Sequence, residues 1–242
     1  MSGPGRSFDQ AADLYADVRP GYPAAALDWL LPASAARVLD LGAGTGKLTR
    51  LLADRRLDVV AVEPSPQMAA ALAEYVPEAD LRLGPAEQIP LPDADVDVVL
   101  AGQAFHWFDA ARALPEIARV LRPGGLFGIV RNDYEDSVSW VAALADVTGN
   151  PGRASSRRIT VPELPELFGP AELHEVRHEQ QLTPHGLRAL VRTHSVYLVR
   201  TPQEQADIMA AVDGLLATDP ALAGRELIAL PYRTLCWRAV RR

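Results

Sequence analysis

The sequence predicts an α/β fold in which helices cover both faces of a mainly parallel, seven-stranded sheet. Five short apolar runs alternate with helical segments over the first 130 residues, a pattern typical of a doubly wound parallel sheet. A glycine-rich turn, Gly42-Ala43-Gly44-Thr45-Gly46, directly follows the first run. Such a turn lets backbone N–H groups approach a ligand with no Cβ in the way.

The first strand ends at Val38 and Leu39, and the helix after the glycine turn is predicted over about residues 46–55. Asp40 lies just before the first glycine. An acidic side chain there can reach over the loop and accept from a cationic group of a ligand. The spacing G-x-G-x-G differs from the G-x-G-x-x-G of dinucleotide-binding proteins.

The second strand, Val59 to Val62, ends at Glu63, which lies 21 residues after Gly42. An acid at the end of the second strand of such a unit is placed to accept hydrogen bonds from both hydroxyls of a ribose. Pro64 follows, and a helix is predicted over residues 67–74, with Ser65 as its N-cap.

These features together resemble the class I S-adenosylmethionine (SAM)-dependent methyltransferases, whose first motif reads D-x-G-x-G-x-G and whose second strand ends in an acid. A glycine turn in another doubly wound protein is the alternative, which Asp40 and Glu63 at these spacings disfavour. The resemblance implies a Rossmann-like sheet of order 3-2-1-4-5-7-6 with the last strand antiparallel. It also implies that Asp40, Gly42 and Gly44 hold the methionyl part of SAM and Glu63 its ribose.

A third strand is predicted at residues 81–83, and the loop at residues 85–90 matches the loop that holds adenine in the family. That loop often begins with Asp, whereas this chain has Pro85. Glu87 and the backbone of Ala86 are the predicted substitutes. Met68 either packs on the adenine face or belongs to the core.

The fourth strand, residues 95–101, leads to a segment rich in aromatic residues. Ligands bind beyond the carboxyl ends of the strands in open α/β sheets, so Gln103 and His106 are predicted to face the transferred methyl group. The segment resembles the A-x-H-W stretch of the type 11 group, in the small-molecule branch that includes trans-aconitate methyltransferase. The alternative is that its aromatic side chains cover the core, with His106 packed beside Trp107.

The remaining elements follow from periodicity and turn residues. The L-R-P-G-G turn at residues 121–125 is another mark of the family. The predicted segments are a helix at 110–121, a strand at 126–130, a helix at 139–147, a loop at 148–162, an edge strand at 173–183, helices at 184–200 and 203–217, and a last strand at 232–240.

The N-terminal residues are predicted to form a helical lid, with a short helix at residues 8–16 and another at 24–31. The resemblance implies that this part folds over the cofactor, which makes Tyr15, Arg19 and Tyr22 candidates to close the site. Arg19 could pair with the carboxylate of the donor. We expect one domain, with the lid over 1–34, the SAM-binding core over 35–135, and a C-terminal half over 136–242 that contains the helical insertion 184–217.

Composition restricts the class of protein. The chain has 242 residues, a net charge of −7, a single lysine, and one cysteine, Cys236. A disulfide framework is excluded and no metal site is expected. The acidic balance disfavours a nucleic-acid partner, and no apolar run of 18 residues or signal peptide is present, so we expect a cytoplasmic location and no membrane contact. The oligomeric state is not readable.

The sequence therefore predicts a transferase, a SAM-dependent methyltransferase that acts on a small molecule, with O- or carboxyl-methylation favoured. The alternatives are a catalytically silent SAM-binding protein, a methyltransferase acting on RNA or protein, and an NAD-linked oxidoreductase. Catalytic roles are predicted for His106 and Gln103. The predicted cofactor-binding residues are Arg19, Tyr22, Asp40, Gly42, Ala43, Gly44, Gly46, Glu63, Pro64, Met68, Ala86, Glu87 and Gln103.

Overall fold

A computed structural model describes residues 18–149, 161 and 164–242 and contains a single seven-stranded sheet of order β3-β2-β1-β4-β5-β7-β6, with β7 antiparallel. This confirms the predicted fold class. The strands are β1 (Arg37–Leu41), β2 (Asp58–Glu63), β3 (Asp80–Leu83), β4 (Val96–Gly102), β5 (Leu121–Tyr134), β6 (Glu172–Leu182) and β7 (Ile228–Val240).

The described helices connect these strands at the predicted places. They are α1 (Ala24–Leu30), α2 (Lys47–Ala53), α3 (Pro66–Tyr75), α4 (Ala110–Val120), α5 (Ser139–Thr148), α6 (Pro184–Arg192), α7 (Ser195–Leu198) and α8 (Pro202–Thr218). The N-cap prediction for Ser65 is confirmed, because its Oγ accepts from the backbone N–H of Met68 at 3.4 Å. The predicted helix at 8–16, Tyr15 and most of the predicted loop at 148–162 lie outside the described residues.

The parallel strands β1, β2 and β4 bring their carboxyl ends to one edge of the sheet. In the register, Leu39 of β1 lies beside Val60 of β2 and Val99 of β4. All three side chains are fully buried, as expected for a parallel sheet that is covered on both faces. This register places Asp40, Glu63 and the residues after β4 along the same edge.

The chain divides into two compact units. Residues 21–132, 161, 164–176 and 234–242 form the first, whose core is built on the β1–β4 strands and includes the fully buried Phe127. Residues 18–20, 133–149 and 177–233 belong to the second, whose core includes Leu144, Leu190 and Val212 from α5, α6 and α8. The single-domain division stays a prediction.

The predicted start of the fifth strand at residue 126 was wrong. β5 begins at Leu121, and the register with β4 shifts between Val96 and Val98. The L-R-P-G-G turn is thus an irregularity inside the strand. Gly124 in this turn has a φ of +77°, and Arg122 pairs with Asp97 of β4, so the extra residues are held against the neighbouring strand.

The single helix predicted over residues 184–200 was also wrong, because α6 ends at Arg192 and α7 begins at Ser195. Thr193 lies at this break, and its N–H and Oγ1 both donate to the carbonyl of Leu190, at 3.0 and 2.6 Å. This tightens the last turn and competes with continuation of the helix. Within the described ranges, none of the helices is long and apolar enough to cross a bilayer.

Candidate functional site

The candidate site lies at the carboxyl ends of β2, β1, β4 and β5, within the first compact unit. The glycine loop follows β1, Glu63 ends β2, and Gln103 follows β4. α2 begins directly after the loop with Lys47, the only lysine in the chain.

The three glycines of the loop all have positive φ values, but their surroundings differ. A Cβ on Gly42 (φ +73°) would lie 2.7 Å from the Cβ of Ala104, and one on Gly46 (φ +90°) would lie 2.9 Å from Cγ of Leu72. These two glycines permit close packing inside the protein. A Cβ on Gly44 (φ +59°) would meet no described atom within 4 Å. The loop is therefore open to a ligand at Gly44, beside the buried Ala43.

Glu63 holds the glycine loop in this conformation. Its Oε2 accepts from the N–H of Gly44 at 2.8 Å, and its Oε1 accepts from the N–H of Ser65 at 2.9 Å. The side chain is buried. Each carboxylate oxygen can accept more than one hydrogen bond, so these contacts are compatible with the predicted role of Glu63 at a ribose.

Asp40 is almost completely buried, with 1% of its surface exposed. Its Oδ2 accepts from Oγ1 of Thr49 at 2.7 Å, whereas its Oδ1 has no hydrogen-bond partner among the described residues. Burial raises the pKa of the Asp40 carboxyl to about 7; the Thr49 bonds oppose this rise, and the charge of Glu63 adds to it. A buried acceptor with no donor is costly unless a ligand supplies one.

An ion pair between Glu116 and Arg119 of α4 holds the predicted adenine loop in place. Glu116 accepts from the N–H of Ile89 at 2.9 Å, and Arg119 donates to the carbonyl of Ile89 at 2.9 Å. Ala86 is buried, and Oε1 of Glu87 accepts from the N–H of Asp109 at 2.7 Å. Glu87 thus joins this loop to the segment after β4.

Two further residues predicted to bind the cofactor, of which Met68 was the candidate for the adenine face, lie at the surface. Pro64 is exposed, and 44% of the surface of Met68 is exposed. The second reading of Met68, as a core residue, does not fit this exposure. Contact with the adenine stays a prediction.

Gln103 adopts a conformation that is unfavourable for its residue type. Its φ is +57°, in the left-handed region that costs about 1–2 kcal/mol for a residue with a Cβ. Its Nε2 donates to the carbonyl of Asn132 at 3.0 Å, and its N–H donates to the carbonyl of Val130 at 2.9 Å. Strained backbone of this kind is concentrated at functional sites, here at the end of the central strand β4.

His106 and Trp107 follow in a short 3₁₀ turn, and both are exposed, Trp107 by 73%. Their ring centroids lie 4.8 Å apart. Desolvation, together with the nearby positive charge of Arg131, lowers the pKa of His106. This direction favours the neutral form of the imidazole. The alternative that Trp107 covers the core does not fit its exposure, whereas Phe105 is buried there.

The residues before α1 are anchored to the same edge of the sheet. The hydroxyl of Tyr22 lies 2.8 Å from where a Cβ on Gly102 would stand. Asn132 donates from Nδ2 to the carbonyl of Gly21 at 2.9 Å and accepts at Oδ1 from Thr234 at 2.7 Å. Since both ends of its amide are engaged, Asn132 acts as an anchor.

Arg19 belongs to the second compact unit, where its Nη2 donates to the carbonyl of Thr193 at 2.7 Å. Its pairing with a donor carboxylate stays a prediction.

The sequence analysis did not identify two residues of the site, Thr49 and Arg131. Thr49 is a fully buried polar residue in α2, and a polar residue on the apolar face of a predicted helix is the signal that could have found it.

Comparison with known proteins agrees with the geometry of the site. Residues 39–129 match a methyltransferase domain family model of the type 11 group. An uncharacterised methyltransferase of Mycobacterium bovis is 48% identical over 96% of this chain and 95% of its own length. A methyltransferase-like protein of Schizosaccharomyces pombe is 33% identical over 92% and 91%.

A solved structure has the same fold. It is described as a candidate type II methyltransferase from Anaeromyxobacter dehalogenans, superposes with a TM-score of 0.63, and is 26% identical over 92% of this chain and 96% of its own. The sheet and the site define a methyltransferase. The chain belongs to the class I SAM-dependent methyltransferases of the type 11 group.

The residues present fit the methyl donor of this family. SAM carries a positive sulfonium and a positive amino group, and the buried Oδ1 of Asp40 faces no described donor. The open position at Gly44 leaves room for a ligand against the loop backbone. Among the described residues, no group of His, Cys, Asp or Glu is arranged to hold a metal ion.

Proposed function

We propose that this protein transfers the methyl group of SAM to a small-molecule acceptor, with O- or carboxyl-methylation favoured. The observation that carries the proposal is the buried carboxyl of Asp40, whose Oδ1 has no hydrogen-bond partner among the described residues, beside the open space at Gly44. A relative from Methylococcus capsulatus, named malonyl-[acyl-carrier protein] O-methyltransferase, supports O-methylation. It is 43% identical over 37% of this chain and 35% of its own.

The donor supplies a methyl group that is already activated, so the protein mainly has to bind, orient and exclude water. We propose that Asp40 and the glycine loop hold the methionyl part, Glu63 the ribose, and Ala86, Glu87 and Met68 the adenine. Arg19 and Tyr22 are proposed to close the site. A cytoplasmic location and a likeness to the trans-aconitate branch remain predictions.

The acceptor is proposed to lie against Gln103 and His106, beyond the end of β4. A neutral imidazole can take a proton from an acceptor hydroxyl, whereas it cannot hold a carboxylate by charge. Although His106 is exposed, partial desolvation and the charge of Arg131 lower its pKa, so the base role fits better than the role of a cationic positioner.

Thermal unfolding tests the proposed function. Adenosylhomocysteine, the expected product, at about 100 times its Kd should stabilise the protein by about 2.7 kcal/mol and raise the melting temperature by about 5–10 °C. NAD at the same concentration should not. A shift with NAD and none with adenosylhomocysteine would indicate an oxidoreductase, whereas a protein that binds the donor yet methylates no small molecule would be the silent alternative.

The substitution His106→Ala should lower turnover about 100-fold or more, the usual size of a general-base contribution, while the affinity for SAM stays unchanged. In the wild type the rate should rise with pH as His106 loses its proton. Because the pKa of His106 is lowered from its ordinary value of 6.5, the rate should reach its plateau at a lower pH than for an ordinary histidine. The measurement is methyl transfer at saturating SAM, with an acceptor found by screening hydroxyl and carboxyl compounds. His185→Ala, at an exposed histidine of α6, is the matched control. Full activity of His106→Ala would make His106 a packing residue.

A further inference from the structure

The charges along the site edge of the sheet change sign from one end to the other. Asp40 and Glu63 lie in the last two positions of β1 and β2, whereas Arg131 lies three residues before the end of β5, two strands away from β1 in the order β2-β1-β4-β5. Neighbouring strands are about 4.8 Å apart. Across the sheet, Asp40 and Arg131 are therefore separated by about 10 Å and Glu63 and Arg131 by about 14 Å, the length of a small molecule.

Arg131 lies beside the proposed acceptor position. In the register of β4 and β5, Gly102 pairs with Val130, so the next position brings Gln103 beside Arg131. The side chain of Gln103 reaches over this position to the carbonyl of Asn132. The positive charge of Arg131 also lowers the pKa of His106, in agreement with this placement.

The acidic end of the edge suits a cationic donor, and the basic end suits an anionic partner. We propose that the methyl acceptor carries a negatively charged group, a carboxylate or a phosphate, which Arg131 binds, and a flat apolar part, which packs on the exposed face of Trp107. A guanidinium has five N–H donors in a planar fork, so it can bind an anion in addition to its contacts within the protein. This inference rests on the proposed function, because it names the acceptor class for the same site.

Two further features of the site support this acceptor class. Trp107 exposes 73% of its surface in the segment after β4, and a large exposed aromatic side chain offers a flat apolar surface on which a ligand can pack. We place the acceptor hydroxyl between Arg131 and the donor, on the side of His106. The anion is then the group that is held, and the hydroxyl is the group that reacts.

The test uses two compounds that differ only in charge, para-hydroxybenzoate and para-hydroxybenzamide, added to the complex with adenosylhomocysteine. Calorimetry should show that the benzoate binds at least about tenfold more tightly, the difference expected for a charged hydrogen-bonded pair. Arg131→Gln should remove this preference, and Arg131→Lys should restore part of it. Arg112→Gln is the matched control, because it removes the same charge from an exposed position on α4 and should leave the preference unchanged.

A second measurement tests the placement of Arg131 near His106 and needs no acceptor. The pKa of His106, followed by nuclear magnetic resonance, should rise in Arg131→Gln and not in Arg112→Gln. Equal affinity for the two compounds, no binding of either at millimolar concentration, or a preference that survives Arg131→Gln would overturn the inference. Adenosylhomocysteine is titrated first: its failure to bind the wild type would contradict the proposed function itself, whereas normal binding of it confines any failure to the acceptor class.

Discussion

The substitution Gly44→Val should abolish SAM binding while the protein remains folded. Gly44 has a φ of +59°, and a Cβ there would project into the open space that we assign to the donor. A β-branched side chain would fill this space and would cost about 1–2 kcal/mol in the left-handed region. Calorimetry should detect no binding at concentrations about 100 times the wild-type Kd, and circular dichroism should be unchanged.

Gly124 provides a matched control in the same compact unit. Its φ is +77°, and a Cβ on it would also meet no described atom within 4 Å. Gly124→Val should therefore cost similar backbone strain and lower the melting temperature by a similar amount, yet leave SAM affinity unchanged. If Gly44→Val and Gly124→Val both bind SAM normally, the glycine loop does not hold the donor.

The second large effect is expected in the pH dependence of SAM binding. The Asp40 carboxyl has a pKa of about 7 in the folded protein, against about 4 in an unfolded chain. Between these values the folded state holds a proton that the unfolded state does not, so the free energy of unfolding falls as the pH rises from about 4 to 7. A cationic donor favours the charged carboxylate and displaces this proton. The affinity for SAM should therefore rise by up to about tenfold per pH unit below pH 7 and level off above it.

Calorimetric titrations with SAM between about pH 5 and 8 measure this dependence. Asp40→Asn removes the titrating group with little change in shape, so its affinity should be lower at pH 7 and nearly independent of pH across that range. Its melting temperature should also fall less as the pH rises from about 5 to 7. A wild-type affinity that does not change between pH 5 and 7 would contradict the assignment of Asp40 to a cationic group of the donor.

Most of the fold could be predicted because its signals are local. The buried strands β1, β2 and β4 are short apolar runs, and the crossover helices between them have regular apolar faces. The last strand also begins earlier than predicted, at Ile228, whereas the errors at β5 and α6 each involve a local interaction that the sequence pattern does not show. The Arg122–Asp97 pair extends β5 through a turn that otherwise ends a strand, and Thr193 bonds back to Leu190 and stops α6.

The site could be predicted in part only. Asp40, Gly44 and Glu63 stand at motif positions, so their sequence spacing identifies them. The unsatisfied oxygen of Asp40 and the open space at Gly44 depend on what the folded chain leaves unfilled, which no sequence pattern records. Arg131 was missed because an arginine that follows an apolar strand is common, and its meaning depends on the register that brings it beside Gln103.

The single lysine has a practical consequence. Lys47 begins α2 immediately after the glycine loop, and apart from the chain's α-amino group no other primary amine exists in the protein. An amine-reactive dye or reductive methylation with a carbon-13 label would therefore mark this one side chain. The signal of this side chain would come from the first turn of the helix that follows the proposed donor site. Once it is distinguished from the signal of the α-amino group, it could report occupancy with no substitution in the chain.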